Sequence, residues 1–145
     1  MSFEGSPVLQ SLEKDPSPDV SLEDLRTSAE GDELLTELFG EVQNGAHGYF
    51  DSVLRHERVA QIQVNRLDAE EYRDLHQRLD HDRRITHNAL CDKLRVLARA
   101  EKKAGRDVSW WSKIAGPREN RNAIRRWALR AVFAELYKNE DKRHE

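Results

Sequence analysis

The sequence predicts an all-α protein, in which a long helical hairpin and a packed C-terminal helix form a bundle of three or four helices behind a disordered acidic N-terminal tail. Three observations support this class. Apolar residues recur at steps of three and four beyond residue 32. Helix start and stop signals divide that part of the chain into separate helices. Charged residues make up 35% of the chain and hydrophobic residues 37%, a balance that suits long helices burying one stripe each.

Residues 1–31 are predicted to form the disordered tail. Pro7, Pro16 and Pro18 stand there among serines and acids, and few apolar side chains are present to offset the entropy of ordering. Ser21 begins a capping-box pattern that predicts a short helix over 22–29. That helix is either a recognition segment that folds on binding or a turn that packs on its own domain.

The helical bundle is predicted to cover residues 32–140, with residues 141–145 disordered. The first arm of the hairpin spans 32–66, because its apolar residues form one continuous seam. Gly45 and Gly48 each weaken a helix by about 1 kcal/mol relative to alanine. We therefore expect a kink or a short break in this arm.

The second arm of the hairpin is predicted over 69–104. Asp68 is suited to cap its first turn, and Leu67 and Tyr72 occupy the two positions of a hydrophobic staple. Gly105 follows a basic last turn and is a typical left-handed helix stop. Arms of this length span on the order of 50 Å and bury poorly in a monomer, so we expect a homodimer.

The last helix is predicted to open at Pro117 and to be apolar over an unusually wide front. Ile124 and Trp127 lie on one face, and a neighbouring face carries further apolar residues. Such a helix is either wedged between others or shared with a partner chain. The candidate partner-binding residues are Leu129, Val132, Phe133 and Leu136.

Charge is distributed unevenly along the chain. Residues 1–82 carry 19 acids and 7 bases, whereas residues 83–130 carry 4 acids and 14 bases. The two parts either neutralise each other within the fold or leave the basic part to bind an anion, and we favour neutralisation. Arginines and aromatic side chains together are typical of nucleic-acid binding. The candidates for that role are Arg118, Arg121, Arg125, Arg126, Arg130, Trp110 and Trp111.

A candidate metal site follows from the predicted hairpin. His47 and Asp51 are four residues apart, as are His87 and Cys91, so each pair shares a helix face. A turn near Asp68 places residue n roughly opposite residue 135−n, which brings the two pairs face to face. These four side chains are suitable ligands for tetrahedral zinc, although pairing of the acid with arginine and burial of the thiol explain the same residues.

The sequence has no Gly-rich phosphate loop and no signature of a Ser or Cys nucleophile. A single cysteine, no apolar run long enough to span a bilayer and no signal-peptide pattern predict a cytoplasmic protein. We expect a non-enzymatic interaction or regulatory protein that binds a protein partner and needs no cofactor. The alternatives are a nucleic-acid-binding module that uses the basic 83–130 region and a metal-dependent enzyme or sensor at the His/Asp/Cys site.

Overall fold

A computed structural model of the chain describes residues 3–61 and 69–138, and these residues form helices and no strands. The predicted all-α class is confirmed. Within the two ranges, no helix is both long enough and apolar enough to cross a membrane. The helices are α1 (Pro7–Lys14), α2 (Leu22–Ala29), α3 (Glu33–Gln61), α4 (Ala69–Lys103), α5 (Ser109–Ala115) and α6 (Arg121–Phe133), and α6 continues into a π-helical turn, Ala134–Lys138.

The long hairpin of α3 and α4 is the centre of the fold, and its register agrees with the predicted pairing. A Cβ atom at Gly45 would lie 3.6 Å from the Cα atom of Leu90, and these two numbers sum to 135. The helix runs through Gly45 and Gly48 without the predicted break, because the close approach of α4 at Gly45 favours a residue without a side chain. The predicted cap and staple at Leu67 and Asp68 lie outside the described residues.

The N-terminal segment differs from the disordered tail that composition predicts. Residues 3–31 form two helices, and the predicted helix over 22–29 is present with its capping box intact. Five of its side chains join the main hydrophobic core, because the few apolar residues of the segment all face the bundle. These five are Leu12, Val20, Leu22, Leu25 and Ala29.

The N-terminal segment also covers the wide apolar front of the last helix. The Phe3 ring lies 5.5 Å from the Phe133 ring and 5.1 Å from the Tyr137 ring. The Trp127 indole donates a 2.7 Å hydrogen bond to the Val20 carbonyl. The front is therefore wedged between parts of the same chain, which is the first of the two alternatives that the sequence left open.

The last helix begins at Arg121 rather than at the predicted Pro117. The Asn120 side chain caps it by accepting from the Asn122 amide at 2.8 Å. Glu119 has a left-handed backbone conformation with φ 50° and ends the preceding turn. Arg118 consequently stands in a turn before the helix rather than in its first turn.

Candidate functional site

A buried carboxylate fixes α5 against α4. Glu101 is fully buried and accepts hydrogen bonds from two side chains, the Ser28 hydroxyl and the Trp110 indole, each at 2.6 Å. Trp110 is only 7% exposed. This corrects one candidate, because a tryptophan held in the core cannot stack on a base.

Trp111 is positioned by this arrangement at the protein surface. Its ring meets Trp110 edge to face at 6.1 Å, and the side chain is half-buried. It lines an open groove of about 200 Å³ between α4 and the segment 108–119. We call this the Trp111 groove, and its lining residues are Arg95, Ala98, Arg99, Lys102, Val108, Trp111 and Glu119.

The charges of the Trp111 groove are unevenly paired. Arg95 forms ion pairs with Glu119 and with Asp92, both at 3.2 Å. Arg99 and Lys102 are exposed, and neither pairs with a carboxylate of the residues that the structure describes. Two cations in the same groove as an aromatic ring are therefore available to an anion.

Sequence reasoning identified Trp111 and missed its partners on α4. Arg95, Arg99 and Lys102 are spaced by four and three residues, so they follow one face of a helix. That spacing is visible in the sequence. Its relation to Trp111 depends on how α5 folds back on α4, which no local pattern indicates.

The other predicted arginines do not lie on one side of α6, and Arg118 stands in the turn before that helix. Arg118, Arg121 and Arg125 are exposed, and the Arg121 guanidinium donates to the Asn88 amide oxygen of α4 at 3.4 Å. Arg126 and Arg130 instead line cavities beside the N-terminal segment. The structure does not bring the five arginines into one surface.

The predicted acid–base neutralisation between the two parts of the chain is limited in the described residues. Three ion pairs there join residues 1–82 to the arginines and lysines of 83–130, and the 3.5 Å pair of Arg130 with Asp15 is the one among them that links distant parts of the chain. The Arg84–Asp80 and Arg83–Asp80 pairs cross that boundary only between neighbouring turns of α4. Most of the basic surface is therefore not matched by the acidic N-terminal half.

The four predicted zinc ligands are not brought together. His47 on α3 forms a hydrogen bond with Glu135, with 2.8 Å between the imidazole Nε2 and the carboxylate Oε1, and Asp51 is exposed. His87 and Cys91 are buried on α4, with 3.5 Å between the imidazole Nε2 and the thiol sulfur. Across residues 3–61 and 69–138, no group of three His, Cys, Asp or Glu side chains has the arrangement to hold a metal ion.

The predicted partner-binding residues are mostly inside the fold. Val132 and Phe133 are buried at 0% and 2% exposure, and Leu129 is half-buried. Leu136 is 39% exposed. The physical reason is the cover that Phe3 and α1 provide, which the prediction of a disordered tail left out.

Burial lowers the pKa of His87, and the nearby Arg125 charge lowers it further, while the hydrogen bond to the Arg121 carbonyl opposes the shift. A histidine with a depressed folded-state pKa stabilises the fold only while it is neutral. The unfolded chain gains a proton near its ordinary pKa of about 6.5, and the folded chain does so only at lower pH.

We therefore predict that stability falls as the pH drops below about 6.5, by up to ~1.4 kcal/mol per pH unit for this group. Urea unfolding between pH 7.5 and pH 5 measures the loss. His87→Gln should reduce the slope, whereas His81→Gln, at an exposed position of the same helix, should leave it unchanged. Equal slopes in wild type and His87→Gln would contradict the assignment.

Comparison with known proteins places the chain in one family. A family model described as "Protein of unknown function (DUF3232)" matches residues 20–142. The chain belongs to this family. No curated protein and no solved structure matches the chain.

The residues matched by the DUF3232 model include most of the features described above and leave α1 out. Helices α2 to α6, including the whole Trp111 groove, fall within residues 20–142, whereas α1 lies before them. The first matched residue, Val20, is the one whose carbonyl accepts the Trp127 hydrogen bond. The groove is thus part of the DUF3232 region itself.

Proposed function

We propose that this DUF3232 protein is a non-enzymatic binding module for single-stranded nucleic acid and that the Trp111 groove is its contact site. The observation that supports the proposal is a half-buried tryptophan held beside two exposed cations, Arg99 and Lys102, that no described carboxylate pairs. Proteins that bind single strands combine a cationic groove for the phosphates with aromatic rings on which bases stack.

The groove is suited to both parts of such a ligand. The buried Glu101–Trp110 hydrogen bond fixes the start of α5, and the Trp111 ring contacts the Trp110 ring, so the backbone that carries Trp111 is already held in place when a base stacks on it. Stacking of this kind contributes about 1–3 kcal/mol per base. Arg99 and Lys102 are one turn apart on α4 and would contact neighbouring phosphates.

The leading expectation from the sequence, a protein partner bound through the last helix or through the acidic tail, has less support. Val132 and Phe133, at the centre of that face, are already covered by residues of the same chain. The cations beside Trp111 carry no comparable cover. For this reason we rank nucleic-acid binding first.

Fluorescence anisotropy with a labelled 15-nucleotide single strand tests the proposal. We expect affinity to fall steeply as salt rises, because each phosphate contact releases counterions. Trp111→Leu keeps an apolar side chain in the groove and removes the stacking surface, so it should weaken binding roughly 5- to 150-fold, which corresponds to the 1–3 kcal/mol of one stacked base.

Charge variants separate specific contacts from general attraction. Arg99→Ala and Lys102→Ala should each weaken binding and reduce the salt slope by about 0.7. Arg73→Ala is the matched control, since it removes the same charge from an exposed site roughly 40 Å away along α4. Absence of binding at low salt, or equal losses at positions 73 and 99, would refute the proposal.

A protein-binding role, including self-association, is a second proposal supported by a different face of α4. Ile85 and Val96 are 51% and 48% exposed, and their spacing of eleven residues places them on one side of the helix. Light scattering over a range of concentrations tests for a homodimer. Ile85→Glu with Val96→Glu should then yield monomers, and a wild type that is monomeric at every concentration argues against self-association.

A further inference from the structure

Two neighbouring cavities on one side of α6 share a pair of arginines. An apolar groove of about 470 Å³ lies between α1 and α6, and a cationic cleft of about 380 Å³ lies between the loop 16–20 and helices α5 and α6. Arg126 and Arg130 line both. The two cavities therefore meet along these side chains and together offer one apolar and one charged compartment.

The apolar groove is built from side chains that face each other across α1 and α6. Val8 and Leu12 line it from α1, and Leu129 lines it from α6. Its volume falls in the range of about 300–1,000 Å³ that is usual for small-molecule sites. The charged residues of its lining are Arg126, Arg130 and Asp15.

The cationic cleft carries an excess of positive charge. Lys113, Arg126 and Arg130 line it, with Asp19 as the acid of its lining. Asp15 in the adjoining groove pairs with Arg130 at 3.5 Å. The three cations and two carboxylates leave one net positive charge, which matches a ligand with a single negative charge.

The walls of both cavities are held in place by hydrogen bonds that do not involve these cations. The Trp127 indole donates to the Val20 carbonyl at 2.7 Å and fixes the end of the loop 16–20. Lys138 donates to the Asp15 carbonyl at 2.9 Å and fixes the end of α1. A site with fixed walls binds a ligand at a smaller cost in ordering than a mobile one.

We infer that these cavities bind a free, single-chain amphiphilic anion of the fatty-acid type. The carboxylate head lies in the cationic cleft against Arg126 and Lys113, and the hydrocarbon chain lies in the apolar groove against Leu12 and Leu129. This inference does not rest on the proposed nucleic-acid function, since none of its residues lines the Trp111 groove.

Isothermal titration calorimetry of the full chain with sodium decanoate, kept below the concentration at which it forms micelles, tests the inference. We expect saturable binding with one site per chain. Decan-1-ol lacks the charge and acetate lacks the chain, so each should bind at least tenfold more weakly. Binding of acetate or decan-1-ol as tight as that of decanoate would overturn the inference.

Variants assign the binding to this site. Arg126→Ala and Leu129→Asn should each weaken decanoate binding at least tenfold, with thermal unfolding curves confirming that both variants fold. Arg121→Ala removes the same charge from the opposite side of α6 and should leave binding unchanged. Equal losses at positions 121 and 126, or binding to anionic phospholipid vesicles without binding to monomeric decanoate, would overturn it.

Discussion

Replacing Glu101 by alanine is expected to lower the free energy of unfolding by about 3–5 kcal/mol. The carboxylate is fully buried and satisfies two donors, the Ser28 hydroxyl and the Trp110 indole. Its removal leaves a cavity and leaves the buried Trp110 indole without an acceptor, whereas the half-buried Ser28 hydroxyl can still donate to the Leu25 carbonyl at 2.9 Å. An unsatisfied buried donor costs about 1–3 kcal/mol, and the cavity adds to that loss. Urea unfolding followed by circular dichroism measures the change.

Two further variants test whether the loss of stability at Glu101 comes from its buried hydrogen bonds. Glu101→Gln preserves the shape and one acceptor oxygen, so we expect a loss of only about 1–3 kcal/mol. Glu41→Ala removes an exposed carboxylate and should stay within about 0.5 kcal/mol of wild type. A loss below 1 kcal/mol for Glu101→Ala would contradict the prediction and would mean that the Trp110 indole finds another acceptor.

Truncating Leu12 to alanine is expected to lower the free energy of unfolding by about 2–5 kcal/mol. Leu12 is 6% exposed and is the residue through which α1 enters the main core. Glu13→Ala changes the next residue, which is exposed, and serves as the control. If α1 did not pack on the bundle in solution, the two variants would be equally stable.

The hairpin was predictable from the sequence because its signals are local and repeated. Each arm carries an apolar seam of helical period, and a turn near residue 68 was enough to set the register that Gly45 and Leu90 show. Of the kink or short break expected at Gly45 and Gly48, the break is absent from α3, because packing across the hairpin outweighs the weak intrinsic preference of glycine against helix.

The packing of the N-terminal segment was not predictable in the same way. Composition measures how much apolar surface a segment has, and Phe3, Leu12 and Val20 are few among many polar residues. Their burial depends on a complementary surface on α6 more than 100 residues later in the chain. A local pattern carries no information about such a distant surface.

The Trp111 groove was only partly predictable, because it also depends on contacts between segments that are separate in the sequence. Trp110 shares the buried face of α5 with Ile114, four residues later, and donates to the buried Glu101, whereas Trp111 lies beside that face and is half-buried. Glutamate is rarely buried, and no local sequence pattern around Glu101 indicates that its side chain is buried. The helical spacing in the sequence already separates Arg121 and Arg125 from Arg126 and Arg130, but it does not indicate that the second pair lines cavities beside the N-terminal segment.

The short connection between α1 and α2 has a consequence for competition between ligands. Seven residues join the end of α1 at Lys14 to the start of α2 at Leu22, and a tether of this length holds a segment near its site at an effective concentration on the order of millimolar. A separate helix that competes for the same face of α6 must therefore either be present at a millimolar concentration or bind that face more tightly than α1 does. Partners that bind weakly therefore do not displace α1 from the apolar front of α6, although no covalent bond holds α1 there.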